Sequence, residues 1–100
     1  MVMVKSIKVA NVAGRADTAD QGAVLYRVML DALSGPGRVV IDFDGLTTAT
    51  SSFCNLAFVQ LLTRWKLAEL KRRLGVVNST KQINEMIKSR LEREGRAAAA

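Results

Sequence analysis

From Arg38 to Phe43 the chain reads RVVIDF, an almost unbroken apolar run that follows a turn and ends among acidic residues. Such a run is short for a helix and rich in branched residues, so it predicts a strand covered on both faces at the centre of a sheet. The flanking segments follow a different period. Before it, Leu25, Val28, Met29, Ala32 and Leu33 recur at spacings of three and four, which marks one face of a helix. After it, Cys54, Ala57, Phe58, Leu61, Leu62 and Trp65 do the same. A central strand between two helical segments needs partner strands, and the pattern supplies one on each side.

KSIKVANV, residues 5–12, alternates polar and apolar around Ile7 and Val9, with Val12 as a further apolar position towards its end, as an edge strand does. LGVV, residues 74–77, is short and branched and predicts a third strand. Ile83, Met86, Ile87 and Leu91 then mark one face of a helix ending near Glu94. Thr18 with Gln21, and Ser79 with Gln82, have capping-box spacing at the starts of the first and last helices. SGPG, residues 34–37, ends the first helix, and KLAELKRR reads as a loop. This order predicts one α/β domain with a mainly parallel or mixed sheet of three to four strands and about three helices. Its expected span is residues 1–94, with residues 95–100 as a frayed or disordered tail.

Composition narrows the chemistry. With 49% apolar and 24% charged residues the chain has the balance of a globular domain. It has no histidine, which removes the commonest general base, most hydrolytic triads and most zinc sites. An enzyme built on Asp42, Asp44 and Ser51 has no histidine or lysine beside them in sequence and no glycine-rich phosphate loop. The expectation is a protein without catalysis, metal or cofactor. The single cysteine, Cys54, lies in an apolar stripe and reads as an inert core thiol. No apolar run reaches the roughly 18 to 20 residues of a membrane span, and MVMVKSIKV has no signal-peptide pattern, so the expected location is the cytoplasm.

Charge is one-sided. Residues 1–62 carry equal numbers of basic and acidic side chains, so the whole net charge of +6 lies in residues 63–100. Arg64, Lys71, Arg72 and Arg73 are the candidates for an anionic partner such as nucleic acid or an anionic ligand, and solvated outer helix faces are the plainer alternative. The basic stretch contains one aromatic residue, Trp65, and no nucleic-acid-binding motif.

The densest polar feature is LTTATSSF, residues 46–53. A strand followed by a short loop and a helix places these hydroxyls at the carboxyl edge of the sheet, where ligands and partners dock in open α/β folds. One hydroxyl capping the helix, with the rest filling a loop, is one reading. A switch site at a helix start that tolerates phosphate is the other. Asp44 before Gly45 fits turn chemistry or partner contact. Phe53 fits either a core anchor or an aromatic that a partner buries.

RVVIDFDGL, SSFCNLAFVQLL and LGVVNSTKQINEMI together resemble the STAS domains, the fold of the bacterial anti-sigma-factor antagonists, and most closely the short STAS-like domains of unknown function. The resemblance covers residues 15–92. It implies a non-catalytic signalling module that binds another protein, in the antagonists a kinase of the GHKL ATPase type, which phosphorylates a serine at the start of this helix. Carried onto this chain, the acceptor is Ser51 and its neighbour Ser52. Thr50 and Phe53 stand where the antagonists have aspartate and glycine. The implied partner surface comprises Asp42, Asp44, Thr50, Phe53, Asn55 and Gln60. The exposed first strand also leaves room for a homodimer.

Overall fold

The structure is a computed structural model that describes residues 4–99, with side chains through Gly95. Residues 1–3 of the expected domain and residue 100 of the expected tail lie outside the described residues. Three parallel strands, β1 (Val4–Lys8), β2 (Arg38–Asp42) and β3 (Leu74–Val77), form a sheet in that spatial order. Ile7 pairs with Ile41, and Ile41 with Val76. β2 is central and β1 an edge, as their apolar patterns predict.

Val39, Ile41 and Phe43 are fully buried, whereas Val40 is half-buried. The expectation of a strand covered on both faces is therefore corrected. Ile7, Val39, Ile41 and Val76 share the face that meets the core. The opposite face carries Val4 (58% exposed), Arg38, Val40 and Val77 (41% exposed), none of them fully buried. On that face the Arg38 guanidinium lies over Gly75, 2.7 Å from where a Cβ would stand.

The chain leaves β1 by a turn of helix, α1 (Val9–Val12), where sequence alternation predicts continuing strand. The reason is geometric. An extended chain puts residues 9 and 12 on opposite faces, whereas a helical turn buries Val9 and packs Val12 against the same core. Helix α2 (Ala19–Ser34) starts with the predicted capping box: Gln21 N–H donates to Thr18 Oγ1 at 3.1 Å, and Thr18 N–H donates to Gln21 Oε1 at 3.0 Å.

The expected long helix after β2 is two elements. Helix α3 (Ser51–Ala57) gives way at Phe58 to a 3-10 helix (Val59–Thr63). Phe58 and Leu61 are buried in either winding because a spacing of three suits both. KLAELKRR is not a loop either. It holds α4 (Leu67–Arg73), with buried Leu70 anchoring it and three basic residues in its last turn, where the helix dipole favours them. Helix α5 (Lys81–Ala99) runs past the end expected near Glu94.

Phe43, Phe53, Phe58, Leu25, Met29 and Leu33 are the largest fully buried side chains. Each stabilises the fold by about 1.5–3 kcal/mol through burial. Among the described residues no helix is long and apolar enough to cross a membrane.

Candidate functional site

At the carboxyl edge of the sheet, residues 43–50 join β2 to α3 in a loop that is held from both sides, with Phe43 and Ala49 buried and Asp44, Gly45, Thr47 and Thr48 exposed. Gly45, with φ +86° and open space around it, makes the turn. From one side, Ala16 O accepts from Thr50 N–H at 3.0 Å and Asp17 O accepts from Thr50 Oγ1 at 2.7 Å. From the other, the Gln82 amide pairs with the backbone of Ala49 in both directions, at 2.8 and 2.9 Å, and Thr80 Oγ1 donates to Thr47 O at 2.7 Å. Arg15, Asp17, Thr47 and Thr48 line a polar depression of 240 Å³ beside Gly45.

Asp42 and Asn78 form a second tie. Asp42 Oδ1 accepts from Asp44 N–H at 2.8 Å and from Asn78 Nδ2 at 3.0 Å. The backbone N–H of Asp44 foremost, then Asn78, holds the Asp42 carboxyl below the usual carboxylate range, with Lys8 adding a smaller pull. Asp44 itself pairs with Lys8 at 3.4 Å. Asn78 stands at φ +51°, a left-handed position that asparagine adopts at little cost.

The cap of α3 is Thr50. Its Oγ1 accepts from Phe53 N–H at 3.1 Å. Ser51 and Ser52 follow on the first turn, both exposed. The helix start therefore takes one hydroxyl, and the two serines are left for other use.

Three residues of the expected partner surface are corrected. Phe53 is fully buried, so it belongs to the core. Thr50 is half-buried, and both its roles are internal. Asn55 is half-buried and accepts from Arg90 Nε at 2.8 Å, tying α3 to α5. Gln60 is exposed on the 3-10 helix. Cys54 is buried, and desolvation pushes its thiol up to about 12.

The basic candidates also divide. Arg73 faces inward: its guanidinium donates to the carbonyls of Gly37, Leu33 and Gly35 at 3.0, 2.9 and 2.5 Å. Half-buried, it holds a turn with all three of these bonds. Lys71 pairs with Glu92 at 3.5 Å, and Arg64 and Arg72 are exposed. The sequence reading missed the brackets of the loop, Asp17, Thr80 and Gln82. It assigned the cap of α5 to Ser79, yet Ile83 N–H donates to Thr80 Oγ1 at 3.3 Å, and Ser79 bonds Asn84 instead. Thr80 does have cap spacing to Ile83, but its bond to the loop joins residues 33 apart and leaves no local signal.

Residues 21–84 match the family described as the STAS-like domain of unknown function. The chain belongs to this family. The match runs from Gln21 at the start of α2 to Asn84 in α5 and contains the hydroxyl loop with Thr80 and Gln82, while Arg15, Ala16 and Asp17 lie before it. No match was found among curated proteins or among solved structures.

Proposed function

We propose that this STAS-like domain is a regulatory protein-binding module, with its contact surface on the loop from Asp44 through Ser52, and that phosphorylation of Ser51 controls the contact. The observation that carries the proposal is the division of labour among the hydroxyls. Thr50 caps α3 and locks the loop to Asp17, while Ser51 and Ser52 are exposed beside it with no structural task in view. A phosphate there adds about −1.5 to −2 charges to a surface that already displays Asp44. Because the loop is braced by Gln82, Thr80 and Ala16, that charge changes affinity without needing a change of shape.

A kinase of the GHKL ATPase type is the partner that the antagonist resemblance suggests. Buried Phe53 replaces the antagonists' glycine, and what matters at the surface is the exposure of the two serines that precede it.

The test compares what the full chain and its Ser51→Glu, Ser52→Glu variant capture from nuclease-treated lysate of the source cell, read by mass spectrometry. A signalling protein held by the wild type and released by the variant supports the switch. Equal capture by both overturns it.

A further inference from the structure

Away from the hydroxyl loop, an apolar groove of 240 Å³ runs between α4, β3 and α5. Its floor is Leu67 and Leu70 from α4, Leu74 and Val76 from β3, and Ile87 and Leu91 from α5. Leu67 closes one end, where it lies against Gly95 with Cδ2 2.8 Å from a Cβ position there. Polar groups stand only at the rim: Lys71, Asn84, Lys88 and Glu92.

These rim groups give the groove a polarity. Lys71 and Glu92 neutralise one another at 3.5 Å. Lys88 is exposed and has no ion pair among the described residues. Asn84 stands four residues before it on the same face of α5. The Asn84 Oδ1 already accepts from Ser79 Oγ at 2.5 Å, so its amide N–H groups remain to donate. The groove thus offers an apolar body site with one net positive charge and one amide donor at one end. Its volume lies below the about 300–1,000 Å³ of most small-molecule pockets, which selects a short ligand.

We propose that this groove binds a free medium-chain carboxylate, with the chain along Ile87 and Leu91 and the head group at Lys88 and Asn84. The site is separate from the phospho-switch and stands or falls independently of it.

The test is an NMR titration of the full 15N-labelled chain with decanoate below its micellar concentration, beside decyltrimethylammonium and 1-decanol as probes with the same body and a different head. Decanoate is expected to give saturable shifts at Leu67, Val76, Asn84, Ile87 and Lys88, with decyltrimethylammonium at least about threefold weaker, as one exposed charge contact dictates. Lys88→Glu, a change at an exposed side chain, is expected to weaken decanoate about fivefold. Leu67→Trp, which fills the groove, should abolish the shifts while the rest of the spectrum stays folded. Equal response to all three probes, or no saturable shift in the groove, overturns the proposal. So do groove shifts that follow protein concentration alone, since these would mean that a second copy occupies the groove.

Discussion

Asp42 ends the central strand, and its contacts favour the charged form: the Asp44 N–H and the Asn78 amide both donate to Oδ1. A carboxyl whose pKa is lowered by folding adds stability that is fully present above its unfolded value, near about 4, and is lost as pH falls through the lowered value. Asp42→Asn keeps an acceptor for the Asp44 N–H but removes the charge. Urea midpoints measured downward from pH 6 are expected to show wild type above the variant at pH 6, with the gap closing in the acid range below about pH 4. A gap that stays constant would show that Asp42 acts as a hydrogen-bond acceptor only. The acidic end of the strand was plain in the sequence. Its partner was not, because Asn78 lies 36 residues away and reaches Asp42 from a left-handed backbone position that residue type alone does not announce. The same holds for Thr50. Five hydroxyls within residues 47–52 all suited a cap, and the bonds of Thr50 to Asp17 O and Phe53 N–H distinguish the one that caps from the four left exposed.

At the scale of elements, the join of α2 to α3 sets where the serines stand. Gly22 lies within α2 and is buried, although glycine there costs about 1 kcal/mol relative to alanine in an exposed helix. The cause is close approach: a Cβ at Gly22 would collide with the carbonyl oxygen of Phe53 and press on the Leu56 side chain, whose Cβ would be 3.1 Å away. Since Phe53 is the second residue after Ser51, Gly22 sets how closely α2 approaches the turn of α3 that carries the serines. Gly22→Ala is therefore expected to lower stability by about 1–3 kcal/mol, in the manner of overpacking, despite its better helix propensity. Thermal denaturation followed by circular dichroism reads this, and a raised Tm would show that the two helices do not meet so closely. Apolar periodicity located both helices, because their stripes are long. It did not separate α3 from the 3-10 helix, since Phe58 and Leu61 satisfy both windings. It also passed over α4, whose seven residues carry only two leucines among five charged or small side chains.

For the molecule as a whole, the alternating order of elements and the central place of β2 follow from hydrophobic pattern alone, because each strand and helix had to bury one face against the next. The charge distribution did not follow, since a basic residue reads the same whether it faces water or a carbonyl. Arg73 shows the difference. From the last turn of α4 it reaches the carbonyls of Leu33, Gly35 and Gly37, fastening the end of α2 and the turn into β2 to the segment that feeds β3. It thus links the two crossovers of the sheet through one planar group whose donors match three carbonyls at once. Arg73→Ala leaves those carbonyls without a charged donor and is expected to cost about 1.5–3 kcal/mol. Arg73→Lys, a point charge without the planar fork, should recover only part of that. Arg72→Ala, the exposed neighbour, removes the same formal charge and should stay within about 0.5 kcal/mol of wild type. Urea unfolding of the three variants separates the two accounts of the basic C-terminal half. If Arg72→Ala and Arg73→Ala are equally mild, both arginines belong to the surface field that would attract an anionic partner. If Arg73→Ala alone is costly, that field is narrower than the sequence suggests, and the exposed cations of this segment that have no ion pair among the described residues are Arg64, Lys66, Arg72, Arg93 and Lys88 at the mouth of the apolar groove.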